Sequence, residues 1–224
     1  MNKHTLTAGG RSVLIYTPSI YDNCPIIYTH LTAEDAEAVI ALLGDIYAVI
    51  VAIDGVDWNG DLSPWPSPKA FKGGEKFAGG GDAYLRELTE SIVPAVEANV
   101  GFSPCYRVIA GYSMAGLFAI YALHRTDIFN RVASMSGSLW YDGLIEFMKK
   151  NQPLKLPERV YFSLGDCESK VRNQRLAKVE ECTLEAEKLF QSFGVETVFE
   201  MNAGNHFMDI PERFAKGLSW IMNS

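Results

Sequence analysis

Short apolar strands alternate with amphipathic helices along most of the 224 residues, and this alternation restricts the folds open to the chain. The residues 47–53 form an uninterrupted apolar run, which indicates a strand buried on both faces. Strands are predicted at residues 12–17, 26–29, 47–53, 107–110, 131–135, 159–164 and 195–201. We expect one α/β domain over residues 1–224, with a mostly parallel sheet and helices on both faces.

The predicted helices lie between these strands and are delimited by capping residues and prolines. Thr32 is a candidate N-cap of the first helix, and Asp82 of the second, which Pro94 should kink or divide. Further helices are predicted at 114–123, at 171–193 and from Asp209 onwards. Sheets of this type bind ligands beyond the carboxyl ends of their strands, so the chemistry is sought in the loops that follow the strands.

The charge balance argues against a nucleic-acid partner. Lys and Arg number 20 and Asp and Glu 27, so the net charge is -7 and there is no basic surplus to neutralise phosphates. The longest apolar stretch falls far short of the ~18 residues of a membrane span, and the N-terminus has no secretory pattern. The four cysteines form no C-x-x-C pair. We therefore expect reduced thiols, a cytoplasmic location and no membrane partner.

One loop nearly matches the G-x-S-x-G nucleophile elbow. Residues 111–116 read Gly-Tyr-Ser-Met-Ala-Gly and lie between a predicted strand and a predicted helix, as the motif requires. The turn would raise the Ser113 hydroxyl above the sheet, and the helix would direct the Met114 amide at a developing oxyanion. Ala115 stands where the motif has glycine, but it is small enough to leave the turn intact. An ordinary Gly-Ser turn is the alternative, and the strand-turn-helix context favours a nucleophile.

A base and an acid are available in loops farther along the chain. His206 follows the last predicted strand, where it could lean over the sheet towards Ser113 as a general base. The acid should lie between them in the order Ser, acid, His. Asp166 and Glu168 both follow the intervening strand, and the loop spacing favours Glu168. His30, at the end of an early strand, is interpreted as a histidine satisfied by its neighbours.

A second oxyanion amide is expected from the loop after the strand at 26–29, at Leu31 or Thr32, because a backbone donor has no sequence requirement. No cluster of His, Cys, Asp or Glu has the spacing of metal ligands. A serine nucleophile needs no cofactor. Neither a metal nor a cofactor is therefore expected.

Aromatic residues that follow the strands could form a substrate site. Trp58, Trp140 and Tyr141 are candidates for an apolar wall against an aromatic or acyl group, unless they only pack the long loop at 54–81. Trp65 lies between prolines and is expected to pack. Arg172 could bind a polar substrate group or lie at a solvated helix start.

Four segments together resemble the putative-esterase family of α/β-hydrolases, which includes esterase D-like enzymes and enterobactin trilactone esterases. They are Gly-Tyr-Ser-Met-Ala-Gly at 111–116, Ser-Met-Ser-Gly-Ser-Leu-Trp at 134–140, Gly-Asp-Cys-Glu at 165–168 and Gly-Asn-His-Phe at 204–207. By this resemblance Ser113 is the nucleophile, His206 the base and Glu168 the acid. It implies an α/β-hydrolase fold, here with a minimal cap domain or none.

The sequence thus predicts a serine hydrolase that cleaves carboxylic esters of small molecules through an acyl-enzyme. Siderophore trilactones and aromatic acyl esters are the candidate substrates. An acyltransferase, thioesterase or peptidase could use the same three residues, and a non-catalytic binding protein could keep the fold.

Overall fold

The computed structural model describes residues 1–223 and contains ten strands, eight of which form one sheet. The strands are β1 (Asn2–Ala8), β2 (Arg11–Thr17), β3 (Ile26–Thr29), β4 (Val49–Ile53), β5 (Pro66–Ser67), β6 (Phe77–Ala78), β7 (Arg107–Tyr112), β8 (Arg131–Met135), β9 (Arg159–Gly165) and β10 (Glu196–Asn202). Across the main sheet the order is β1-β2-β4-β3-β7-β8-β9-β10, and β5 pairs with β6. The pairs β1-β2 and β2-β4 are antiparallel, and from β4 to β10 all neighbours are parallel. The mostly parallel sheet is therefore confirmed.

Seven helices cover the two faces of this sheet. They are α1 (Ala33–Leu43), α2 (Gly81–Glu87), α3 (Val93–Val100), α4 (Met114–Leu123), α5 (Leu144–Lys150), α6 (Val179–Ser192) and α7 (Ile210–Met222). The apolar residues of α1 and α7 form one buried cluster with one face of the strands, and those of α2 to α6 form a second cluster with the opposite face. Within residues 1–223 no helix has the length and apolar character needed to cross a membrane.

Most strand boundaries agree with the sequence prediction, and β4 shows why one differs. All of its residues are buried, as the continuous apolar run predicts, but the strand begins at Val49. Tyr47 lies outside it because its side chain is half exposed and its hydroxyl donates to the carbonyl of Asp22 at 2.7 Å.

The helix predicted at 171–193 begins later than expected. In the structure α6 starts only after a 3-10 turn at Leu176–Lys178. Asn173 holds the preceding segment in another conformation, because its amide donates to the carbonyl of Ala70 at 2.6 Å and its Oδ1 accepts from the backbone N–H of Arg175 at 3.1 Å. Side-chain bonds of this kind compete with helix formation, so the prediction is wrong for the first residues of the segment.

The prediction that Asp82 caps the second helix is also wrong. The helix α2 begins at Gly81, and Asp82 lies inside its first turn. Its carboxylate accepts hydrogen bonds from Tyr121 at 2.6 Å and from Arg125 at 2.7 Å. The carboxylate therefore joins α2 to α4 and its C-terminal end instead of satisfying an amide of α2.

Pro94 divides the long helical segment, as predicted. A π-helical turn at Leu88–Ile92 separates α2 from α3, and Pro94, which has no N–H to donate, lies in the first turn of α3 directly after it. The helix α5 is absent from the sequence prediction. Its seven residues are too few to give a clear helical period.

The long segment 54–81 is held by packing and by the short β5-β6 sheet. The indole N–H of Trp65 donates to the carbonyl of Asp142 at 2.9 Å, and the Tyr141 hydroxyl donates to the carbonyl of Trp65 at 2.5 Å. Trp65 also contacts the rings of Tyr121 and Phe147. The packing role predicted for Trp65 is confirmed, and the segment is fastened to the body of the protein next to the carboxyl ends of the strands.

Candidate active site

Ser113 lies on a strained turn between β7 and α4. Its backbone has φ 56° and ψ -121°, a conformation that a non-glycine residue adopts only when its surroundings enforce it. The Ser113 N–H donates to the carbonyl of Met135 at 3.1 Å, which fixes the turn against β8. At Gly111 a Cβ atom would lie 2.3 Å from the backbone of Ala115, so the strand and the helix approach closely only because this position is glycine. The turn therefore forms although Ala115 occupies the position of the last glycine in the G-x-S-x-G motif.

Three loops that follow β7, β9 and β10 bring Ser113, Glu168 and His206 together. The His206 Nε2 atom lies 3.0 Å from the Ser113 Oγ atom, and the His206 Nδ1 atom lies 2.7 Å from the Glu168 Oε2 atom. Both distances are within hydrogen-bond range. The side chain of His206 is partly exposed, whereas that of Glu168 is buried. A serine, an imidazole and a carboxylate joined in this order can activate the hydroxyl and stabilise the imidazolium that forms.

The two carboxylates that compete in the sequence have different partners. Asp166 is exposed, and its Oδ1 accepts from the backbone N–H of Gly204 at 2.8 Å, across the loops. Glu168 faces His206, and its second oxygen accepts from Ser136 and from the Gly165 N–H, both at 2.7 Å. Burial by itself opposes the charge on Glu168, but hydrogen bonds from His206 and Ser136 outweigh it and hold the pKa of this carboxyl below its usual range.

The candidates for oxyanion donors lie in different surroundings. Met114 begins α4, where backbone amides have no acceptor inside the helix, and it lines the cavity beside Ser113. Leu31 is buried in the apolar cluster beneath α1 and α7. Thr32 caps α1 by accepting from the Asp35 N–H at 3.2 Å. Neither Leu31 nor Thr32 is part of the cavity lining.

A cavity of about 410 Å³ opens beside Ser113 and His206, and its wall is largely apolar, with several aromatic side chains. Trp58 and Trp140 line it, as the sequence predicts for a substrate wall. Tyr141 does not: it is buried, with its hydroxyl bonded to the main chain of Trp65. Arg172 is exposed and lies outside the lining. The structure therefore brings together only two of the four predicted substrate residues.

The site contains further residues to which the sequence analysis assigned no role. Phe71 and Phe207 line the cavity although the two residues are 59% and 80% exposed, so the mouth of the cavity is apolar as well as its wall. Ser138 places its Oγ atom 3.4 Å from that of Ser113. Arg213 contacts Glu168 from behind. Ser138 lies in the block at 134–140 that carries the family resemblance, but nothing in the sequence distinguishes Arg213 from a solvated helix residue.

His30 lies in the core next to α2 and α4, apart from the three joined residues. Its Nε2 atom is 2.9 Å from the Tyr84 hydroxyl, and its ring packs edge-on against Phe118. Burial lowers the pKa of His30 to about 3, and the positive charge of Arg11 adds to this shift. His30 is therefore neutral in the folded protein at ordinary pH. Its interpretation as a residue satisfied by its neighbours is confirmed only in part, because within residues 1–223 its buried Nδ1 atom has no hydrogen-bond partner.

This shift predicts a loss of stability in mild acid. The unfolded chain protonates His30 near pH 6.5, whereas the folded chain does not do so until about pH 3. As the pH falls through this window the unfolded state binds the extra proton, so the free energy of unfolding decreases, by about 2 kcal/mol between pH 6 and pH 4.5 from this group. Denaturant titrations at both pH values should show a smaller decrease for His30→Gln than for the wild type. Equal decreases in the free energy of unfolding for the two proteins would contradict the lowered pKa of His30.

Within residues 1–223 no group of three or more His, Cys, Asp or Glu side chains is arranged to hold a metal ion. The four cysteines are free, and two of them, Cys105 and Cys167, are exposed.

The chain is similar in sequence and in fold to known esterases and hydrolases. A family model described as "Putative esterase" matches residues 28–207. An uncharacterized protein, YbbA of Bacillus subtilis (strain 168), is 24% identical over 96% of this chain and 93% of its own. An IroE-like serine hydrolase from Shewanella oneidensis superposes with a TM-score of 0.82 at 16% identity, over 99% of this chain and 80% of that one. The siderophore hydrolase EstB from Aspergillus nidulans gives 0.72 at 23%, over 99% and 94%. These structures share the α/β-hydrolase fold predicted from the sequence.

Proposed function

The chain belongs to the putative esterase family and is a carboxylic-ester hydrolase, and we propose that Ser113 is its nucleophile, His206 its general base and Glu168 the acid that orients His206. One observation carries this assignment. Two hydrogen bonds, of 2.7 Å and 3.0 Å, link Glu168 through His206 to Ser113 on a strained turn at the end of a parallel strand. The family supplies the reaction class, and the two hydrogen bonds support the proposed roles.

The proposed first half of the reaction forms an acyl-enzyme. The His206 Nε2 atom takes the proton from the Ser113 hydroxyl as Oγ attacks the ester carbonyl carbon. The Met114 amide, at the start of α4, donates to the oxyanion, and an amide of Leu31 or Thr32 is the proposed second donor. When the tetrahedral intermediate collapses, the carbon–oxygen bond to the alcohol breaks and His206 returns the proton to the leaving alkoxide.

The second half reverses these roles with water. His206 removes a proton from water as the water oxygen attacks the acyl carbon, and Ser113 leaves with that proton once the second intermediate collapses. Glu168 accepts a hydrogen bond from the Nδ1–H group of His206 throughout. The proton therefore stays on Nδ1, and the lone pair of Nε2 points at Ser113. Every group in this sequence is a side chain or amide of the chain itself, together with the ester and water.

The cavity supports an uncharged, apolar ester as the substrate. No Lys or Arg is among the residues that line it, and its ionisable carboxyl and imidazole groups are the proposed catalytic ones. Arg175 lies near the cavity, against Trp140 and Phe77 of its wall. The Arg175 guanidinium faces these two rings and donates a hydrogen bond to Asp142. An anionic substrate would find no counter-charge here. Among the candidate substrates this favours aromatic or acyl esters, and siderophore esters that present an uncharged face.

The substrate class predicts a preference between two esters of equal length. The enzyme should hydrolyse 4-nitrophenyl pentanoate at least ~10-fold more efficiently, in kcat/KM, than mono-4-nitrophenyl glutarate, which ends in a carboxylate, because burying the charge unpaired costs more than 1.4 kcal/mol. Release of 4-nitrophenol measures both rates. Equal efficiencies would contradict the uncharged substrate, while the hydrolysis of either ester would support the esterase activity. Titration of the acid released in the presence of added alcohol separates hydrolysis from acyl transfer.

A further inference from the structure

The side chain of Arg213 lies fully enclosed behind the proposed catalytic residues. It projects from α7, and only 1% of the residue is exposed. Arginine is almost never buried to this extent unless its charge is paired. Here the Nη1 atom lies 3.2 Å from the Glu168 Oε1 atom, the oxygen that does not face His206.

The same guanidinium contacts each of the three chain segments that carry the proposed catalytic residues. Its Nη2 atom donates to the carbonyl of Ala203, in the loop of His206, at 2.8 Å. Its Nη1 atom lies 3.2 Å from the hydroxyl of Tyr112, the residue before Ser113, and that hydroxyl donates to the carbonyl of His206 at 2.7 Å. The guanidinium also lies against Gly165. A Cβ atom there would lie 2.3 Å from the carbonyl oxygen of Gly204 and 2.9 Å from Nη2, so residue 165 has no room for a side chain.

The Glu168 carboxylate lies between His206 and Arg213. His206 contacts one carboxylate oxygen, and Arg213 contacts the other. The neutral donors Ser136 and the Gly165 amide complete the contacts of that second oxygen. Of the other titratable groups, Tyr112 touches the guanidinium, while Tyr161 on β9 and Asp166 interact with it only at longer range.

We propose that Arg213 is a positioning residue of the hydrolytic reaction, which fixes the Glu168 carboxylate in one geometry and, through Glu168, sets how readily His206 accepts a proton. This inference rests on the proposed function. A carboxylate already paired with Arg213 gives less support to a second positive charge on His206. Removal of the Arg213 charge therefore makes protonation of His206 easier. Since His206 must be neutral to act as a base, the acid limb of kcat/KM then moves to higher pH.

Four proteins test the inference: Arg213→Met, Arg213→Lys, Glu168→Gln and the double variant Glu168→Gln/Arg213→Met. We expect Arg213→Met to lower kcat about 10- to 100-fold with KM nearly unchanged, as is typical of groups that orient a catalytic residue. Its acid limb should rise by about 0.5–1 pH unit. Arg213→Lys keeps the charge, so its acid limb should match the wild type while kcat recovers only in part.

The double variant separates positioning from a purely structural role. If Arg213 acts through Glu168, adding Arg213→Met to Glu168→Gln should change kcat by less than about threefold. The carboxylate through which Arg213 acts has already been replaced by a neutral amide in that background. An equal loss in both backgrounds, or a wild-type kcat and acid limb in Arg213→Met, would overturn the inference. Glu168→Gln alone leaves the buried charge of Arg213 unpaired, and the double variant removes that charge. Thermal denaturation checks that each variant is folded. Should Arg213→Met not fold, the Lys variant decides: an acid limb that shifts although the charge is kept overturns the inference.

Failure of this inference can be told from failure of the proposed function. Covalent labelling of wild-type Ser113 by a fluorophosphonate reports on the nucleophile alone. A labelled wild type with Arg213 variants of unchanged kinetics refutes the positioning role only. An unlabelled wild type refutes the function on which it rests.

Discussion

Replacing Ser113 with alanine should lower kcat for ester hydrolysis by about 10⁵- to 10⁶-fold, down to the rate that binding and the oxyanion donors alone support. The change removes the attacking oxygen and nothing else of the cavity. The φ of 56° at this position is strained for alanine as it is for serine, so the stability should change little. Initial rates with 4-nitrophenyl pentanoate, compared at equal concentrations of folded protein, measure the loss.

Ser138 supplies the matched control for this substitution. Its hydroxyl lies 3.4 Å from that of Ser113 and lines the same cavity, but the hydrogen bonds of the His206 ring within residues 1–223 go to Ser113 and Glu168 and not to Ser138. Ser138→Ala should reduce kcat by no more than about 10-fold. If Ser138→Ala were the inactive variant and Ser113→Ala kept its rate, the assignment of the nucleophile would be wrong.

The second large effect is expected at Glu168. Glutamine has the same shape, but its side chain can present an N–H to Nδ1 and so favour the wrong tautomer of His206, with the proton on Nε2. The Ser113 proton then has no acceptor, and the imidazolium loses its counter-charge. We expect kcat to fall by about 10³- to 10⁴-fold with a modest change in KM.

Asp166 provides the comparison for Glu168, because the two carboxylates lie in one loop. Asp166 accepts from the Gly204 amide, and the side-chain oxygen of asparagine can accept the same bond. Asp166→Asn should therefore retain kcat within about 10-fold. A loss at Asp166 as large as that at Glu168, with both variants folded, would show that the orienting acid has been misassigned.

The elbow and its partners could be predicted from the sequence because each signal is local. A small-residue turn between an apolar strand and an apolar helix marks Ser113, and parallel strands bring the loops of Glu168 and His206 to the same edge. The choice between Asp166 and Glu168 depended on side-chain directions within one tight loop. The sequence could only rank these two residues, since both lie after the same strand.

What escaped prediction depends on packing between distant segments. Arg213 occupies a helix position that would ordinarily be solvated, and its burial follows only from the docking of α7 against β8 and β9 beneath the loops. Phe71 and Phe207 meet at one cavity although 54–81 and the last loop are far apart in the chain. Tyr141 was expected in that wall, but its hydroxyl reaches the main chain of Trp65 and turns it inward. Such long-range contacts leave no periodic pattern in the sequence.

The measurement that tests the central claim most directly is the mass of the protein after treatment with a fluorophosphonate probe. The wild type should gain one probe mass, found on the peptide that contains Ser113. Ser113→Ala should gain none, and Ser138→Ala should be labelled like the wild type. Labelling that persists in Ser113→Ala, or that maps to another residue in the wild type, would contradict the account of Ser113 as the nucleophile of an acyl-enzyme mechanism.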